Sequence, residues 1–268
     1  MKIGLHIRLP RTITAVAKKA LELELPFFQT FVLNEHGHFF EPSTSDQKKF
    51  LALRDKFGPL FLQASYWING ASNNNNVERL LKRELALADA LAFDFYILHP
   101  GAAPITHTNR FELLAQRLNI ISKQYPHITI LLENIAHAHN TIGGSIQELG
   151  IIAKKLDQRS NVGFCIDTAH AYAYGYDITT PENINQFIEL IDQEIGLERI
   201  KLIHLNNTTQ PCGSHIDAHS ITTKGSIGTS ALKYLVNTNS LQKKYFIMEL
   251  PPLSQDKEKD ILTTINQW

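Results

Sequence analysis

The sequence predicts a single-domain α/β protein built as a closed (β/α)8 barrel, and three observations carry that expectation. Short β-branched or aromatic runs alternate strictly with longer stretches of helical period. Eight such pairs fill 268 residues, close to the roughly 250 that this barrel typically takes. An open doubly wound sheet would place a glycine-rich turn after its first strand, and Ile7-Arg8-Leu9-Pro10 is not one.

In order, the first run spans 2–7 and leads to a helix over 12–23; the second, 26–32, leads to 45–57. The third, 60–64, is followed by four asparagines, 73–76, read as a loop, and then by the clearest helix, 77–92. There Leu80, Leu81, Leu85, Leu87 and Ala88 form one face, with Glu78, Arg79, Lys82, Arg83 and Glu84 largely on the other. Strands over 95–99, 128–133 and 162–167 precede helices over 110–125, 145–156 and 184–195. The last pairs are 200–205 with 229–236 and 245–250 with 256–267. Ser45 and Asn109 are read as helix starts, Gly58 and Gly196 as helix ends. No linker interrupts the alternation, so one domain over 1–268 is expected.

Composition excludes several classes. A hydrophobic fraction of 43% with 19% charged residues rules out wholesale disorder. Twenty-six basic residues against 26 acidic ones leave a net charge of zero, so contact with nucleic acid must come from a local site rather than general attraction. Cys165 and Cys212 cannot build a disulfide framework and fit a reducing compartment. His6, Arg8 and Pro10 interrupt the N-terminal stretch too early for a signal peptide. Asp89 and Asp94 break the best apolar stretch, around 85–98, well short of the ~20 residues of a membrane span. A cytoplasmic monomer without membrane association is expected. The 12 histidines are more than a soluble core needs.

In such a barrel the chemistry lies at the C-terminal ends of the strands. Those ends carry His99, Glu133, Asp167 with His170 three residues on, His204 and Glu249. Any one of them alone reads as a cap, an ion-pair partner or a rim histidine. Together they crowd like charges that disfavour joint ionisation, a cost that divalent metal removes with these same ligand types. The Asp217-Ala218-His219 step adds two side chains pointing the same way in an extended segment, and suggests a further metal. The following Lys224-Gly225-Ser226-Ile227-Gly228-Thr229-Ser230 turn reads either as a phosphate-binding helix start or as a helix capped by Thr229 or Ser230.

These motifs resemble the endonuclease IV family, metal-dependent apurinic/apyrimidinic endonucleases on a TIM barrel. The resemblance rests on Ala64-Ser65-Tyr66-Trp67-Ile68-Asn69, His99-Pro100-Gly101, Glu133-Asn134, the block 165–177, His204-Leu205-Asn206, the loop 213–228 and Glu249. It runs in order along essentially the whole chain. It implies a site of two or three zinc ions. His99 and Glu133 would hold the first, Glu133, Asp167, His204 and Glu249 the second, and His170, Asp217 and His219 the third. The ions would activate water for in-line attack on the phosphate 5′ of an abasic site in duplex DNA, with Glu133 as the catalytic carboxylate.

The chain also departs from the pattern. Gln63 stands where the family carries a metal-binding histidine, and an amide oxygen is a weaker, harder ligand. The first ion is then expected to bind less tightly, to give way to Mn²⁺, or to be absent, which allows a weakened enzyme; His6 is a possible compensating ligand or a buried spectator. The loop Asn34-Glu35-His36-Gly37-His38 lacks the arginine the family inserts into DNA. Tyr66 and Trp67 match its aromatic wedge or simply pack on the rim. Lys224 falls where the family usually has an acid, which would either strengthen phosphate contact or disturb the loop. His137 and His139 read as surface residues. Glu133, Asp167, His204 and Glu249 also resemble the single-metal site of xylose-isomerase-like sugar isomerases and epimerases, which share the barrel but have no need of His99, His170, Asp217 or His219.

Overall fold

A computed structural model describes residues 3–8, 11–32, 38–104, 109–137 and 140–268. Eight strands form the barrel wall: β1 (Ile3–His6), β2 (Phe28–Phe31), β3 (Phe61–Gln63), β4 (Phe95–Leu98), β5 (Thr129–Glu133), β6 (Val162–Asp167), β7 (Ile200–His204) and β8 (Tyr245–Met248). Each pairs in parallel with the next, and β1 closes on β8 through Ile3–Phe246, Gly4–Ile247 and Leu5–Met248. Between and after them run α1 (Ile13–Glu22), α2 (Thr44–Arg54), α3 (Asn75–Ala90), α4 (Arg110–Gln124), α5 (Ile146–Lys155), α6 (Thr168–Tyr174), α7 (Pro181–Glu194), α8 (Thr229–Asn237) and α9 (Gln255–Asn266). The expected (β/α)8 barrel is the fold found. No described helix is long and apolar enough to cross a membrane.

Two apolar layers follow from the period-two alternation of the strands. Outward residues such as Ile3, Leu5, Leu62, Tyr96, Leu98, Ile130 and Leu132 pack under the helices. Inward residues Phe27, Phe61, Ile97, Leu131, Cys165, Leu202 and Ile247 fill the barrel interior. Rings from the strand starts plug its lower end: Phe61 stacks on Phe95 at 4.7 Å, and Phe27 meets Tyr245 edge-on at 5.3 Å. Gly4 belongs to this plug, since a Cβ there would come within 2.6 Å of the Phe27 ring. The polar groups are thereby confined to the other mouth.

Helix boundaries correct the sequence reading in several places. Ser43, not Ser45, caps α2 by accepting from Asp46 N, and α2 ends at Arg54, before Gly58. Helix α3 starts inside the asparagine run, capped by Asn74. Asn109 does precede α4 but makes no side-chain cap bond. Gly196 follows α7 as expected, at φ 90°, while α7 begins earlier than expected, with Thr180 capping and Pro181 in its first turn. Gly228, rather than Thr229 or Ser230, occupies the N-cap of α8. Glu84 is not on a solvated face: it is 2% exposed, accepting from Tyr96 Oη at 2.7 Å and Ser65 N at 3.1 Å. Burial raises its carboxyl pKa, and the residue ties α3 to the segment that carries Tyr66. The short helix α6 was not expected.

Because Phe61 is fully buried among these rings, Phe61→Ala is expected to destabilise the protein by about 3–5 kcal/mol in urea denaturation; a loss below about 1 kcal/mol would mean the barrel floor collapses onto the gap.

Candidate metal centre

Strand register brings the chemistry level. Pairing of Leu98 with Leu132 makes His99 and Glu133 leave their strands side by side. Asp167 is paired with His204, and His204 with Ile247, two residues before Glu249. Asp167 then caps α6, accepting from His170 N at 2.8 Å, and this one-turn spacing turns the His170 ring to the same mouth. The loop after β7 returns Asp217 and His219 from outside. All eight predicted side chains meet around or beneath one open cavity of about 270 Å³.

Glu133 lies at the centre, 1% exposed. Its Oε1 is 2.8 Å from His204 Nδ1, and its Oε2 is 3.1 Å from His99 Nε2. His204 Nδ1 also faces Glu249 Oε2 at 3.6 Å and Asp167 Oδ2 at 3.8 Å. Glu133, Asp167, His204 and Glu249 thus converge as one four-donor group, with donor atoms all within 4.8 Å of one another, and His99, Glu133 and His170 as a second group. Asp167, His170 and His219 form a third. In it His219 Nε2 stands 3.3 Å from His170 Nε2 and 3.5 Å from Asp167 Oδ2, with Asp217 Oδ1 3.2 Å from His170. Two imidazole nitrogens aimed at each other across such a gap, with carboxylates on either side, are donors that could hold a dication.

Electrostatics supports that fit. Burial works against the charge of Glu133, but His204 and His99 hold its carboxyl well below the usual range. Asp217 is likewise brought to about 2, against burial, chiefly by His170. Burial also opposes charge on His170, where Asp167, Asp217 and Glu133 outweigh it, and on His204, where Glu249 and Glu133 do; both imidazoles are held protonated well above the ordinary histidine range. Cys165, pushed up to about 12 mainly by burial, stays a thiol. Without metal, protons on histidine are the counter-charge for four clustered carboxylates; divalent ions would fill the same role with better geometry.

Three amides hold the donors: Asn134 and Asn206, which the sequence reading named only as parts of motifs, and Gln29, which it did not single out. Asn134 Oδ1 accepts from Asp167 N at 2.6 Å, and its backbone carbonyl lies 2.9 Å from His170 Nδ1, leaving Nε2 for the cluster. Asn206 Nδ2 donates to Asp167 Oδ2 and Glu249 Oε2. Gln29, from the middle of β2, reaches His204, Glu249, His6 and Gln63. A polar amide inside the apolar run 26–32 was the available signal. Cys165, whose sulfur groups with Glu133 and His204, was likewise read only as a free cysteine.

The remaining expectations divide. Gln63 is buried in the centre, donating Nε2 to Glu133 Oε2 at 3.0 Å. His6 borders the same cavity with Nδ1 3.4 Å from Glu249 Oε1. Tyr66 leans over the mouth, its ring 6.1 Å from His99 and 5.4 Å from Phe31. Tyr66 and Trp67 are 67% and 72% exposed beside the mouth. Lys224 is exposed on its loop and does not border the central cavity. His137 is exposed, near His215 O. Residues 33–37, which hold most of the arginine-lacking loop, and His139 lie outside the described residues.

A metal ligand must be deprotonated, so loading displaces the protons held by His170 and His204, and affinity rises as pH climbs through their raised values and falls below them. Titrating zinc into metal-free protein in weak buffer near neutral pH is expected to acidify the solution by on the order of two protons per chain; binding with no proton release would contradict the protonated state of these rings.

The model of the xylose isomerase-like TIM barrel family matches residues 17–266. A probable endonuclease 4 of Akkermansia muciniphila is 31% identical over 257 residues, covering 93% of this chain and 92% of that protein. Among solved structures, endonuclease IV from Thermus thermophilus superposes with a TM-score of 0.85 at 24% identity, over 100% of this chain and 99% of that one. A D-tagatose 3-epimerase-like protein superposes at 0.73 with 21% identity, over 100% and 99%; both structural likenesses show the fold alone. Similarity to the endonuclease 4 relatives over nearly the full length, together with the family match, places this chain in the endonuclease 4 family of xylose isomerase-like TIM barrels.

Proposed function

We propose that this chain is a metal-dependent endonuclease that cuts the phosphodiester 5′ of abasic sites in duplex DNA. The observation that carries the reading is the surplus of donors. One group of Glu133, Asp167, His204 and Glu249 would satisfy a single ion, yet His99, His170, Asp217 and His219 stand beside it within the same mouth. His99 and Glu133 would hold a first ion, the four-donor group a second, and His170, Asp217 and His219 a third; zinc suits the imidazole-rich third group, and Mn²⁺ suits a first position where Gln63 offers only an amide. Bound divalent ions would supply Lewis acidity toward the phosphate and lower the pKa of water.

The chain's own residues do the rest. Glu133 turns one oxygen toward His204 and the other toward His99, so it would be shared between the donors of the first two positions. The dry floor excludes stray water beneath the phosphate. Exposed Tyr66 and Trp67 present flat apolar surface beside the mouth, suited to the gap left by a missing base, and Lys224 offers a cation to the flanking backbone. Gln63 turns its amide nitrogen to Glu133, and that hydrogen bond supports a weakened first position. A single-metal sugar isomerase draws support from the four-donor group and the shared fold, and leaves the other four donors idle.

Purified protein is expected to nick a duplex carrying a tetrahydrofuran abasic analogue on its 5′ side and to stop in strong chelator. Glu133→Gln is expected to cost more than the about 10–100-fold typical of losing an outer-shell partner. Intact abasic DNA together with turnover of ketoses would transfer the case to the isomerase. Gln63→His is expected to raise metal retention after dialysis; unchanged retention would contradict the role given to that amide.

A further inference from the structure

We propose that Gln29 is a positioning residue that sets which nitrogen of His204 is offered to metal, taking its own orientation from Glu249. The inference rests on the metal-centre reading above and concerns a residue outside the donor groups.

The Gln29 amide sits where four polar atoms converge. Its Oε1 is 2.7 Å from His204 Nε2. Its Nε2 faces Glu249 Oε1 at 2.7 Å, His6 Nδ1 at 2.8 Å and Gln63 Oε1 at 3.3 Å. Rotating the amide by half a turn would press its oxygen against the Glu249 carboxylate, so that carboxylate dictates which end is which. With the nitrogen committed to Glu249, the oxygen is committed to His204.

An amide oxygen only accepts hydrogen bonds. His204 Nε2 must therefore keep its hydrogen in every protonation state of the ring, and Nδ1 is the nitrogen that can give up its proton. Nδ1 is also the one that faces Glu133, Asp167 and Glu249. One side chain thus links two ligands, from β7 and from the end of β8. Outer-shell groups that fix a histidine tautomer raise its basicity and typically change metal affinity 10–100-fold when lost. Gln29 is fully buried.

The test compares the unmutated protein with Gln29→Met, which removes both donor and acceptor, and Gln29→Glu, which keeps an acceptor for His204 Nε2. In metal-free protein, long-range proton–nitrogen spectra are expected to show a hydrogen-bonded, slowly exchanging Nε2–H on His204, lost in Gln29→Met and retained in Gln29→Glu. Zinc affinity, read by competition with a chromophoric chelator, is expected to fall about 10–100-fold in Gln29→Met, with circular dichroism unchanged. An Nε2–H that exchanges equally fast in all three proteins, or zinc affinity untouched in Gln29→Met, would overturn the inference. Failure of the unmutated protein to take up zinc would overturn the metal centre instead, and the metal-free spectra would still decide the role of Gln29.

Discussion

The constraint on which the rest of this structure depends is the cost of burying the Glu133 carboxylate almost completely. A buried carboxylate is tolerated only when opposite charge and hydrogen bonds surround it. Here one oxygen takes His204 and the other takes His99 and Gln63. Asp167, fully buried, is held by Asn134, Asn206 and the first turn of α6. Each of these partners is either a cation when protonated or part of a hydrogen-bonded frame around the carboxylates. Divalent ions held by these donors would take over the charge that protons on the histidines otherwise supply.

The barrel makes this affordable by separating functions along its axis. Stacked aromatic rings at the strand starts supply apolar burial, and the opposite rim gathers the buried Glu133, Asp167, His170 and His204. Register links the two, because a closed sheet of parallel strands has no free edge along which a strand can slip. A slip of one residue in β5 would move Glu133 to the outer face and disconnect His99 from His204.

Much of this was legible in the chain. Strand ends can be found from periodicity, and the rule that barrel chemistry lies there singles out His99, Glu133, Asp167, His204 and Glu249 without coordinates. His170 followed from its spacing to Asp167, although the helix that produces the spacing was not anticipated: seven residues capped by Asp167 give too brief a periodic signal. Glu84 looked solvated because its helical position borders the polar stripe, yet Tyr96 and Ser65 draw it inward. Gln29 was visible as an amide in an apolar run, but what it touches was not legible. Its partners His204 and Glu249 lie 175 and 220 positions away in sequence, and only closure of β1 on β8 brings them together.

The most direct measurement of the central claim is elemental analysis of the purified protein after saturation with zinc and removal of loosely held ions. Two or three zinc atoms per chain are expected, because the donors divide into more than one complete group. One atom per chain would reduce the centre to Glu133, Asp167, His204 and Glu249, and none would mean that protons alone balance the buried carboxylates; either result contradicts a multinuclear site.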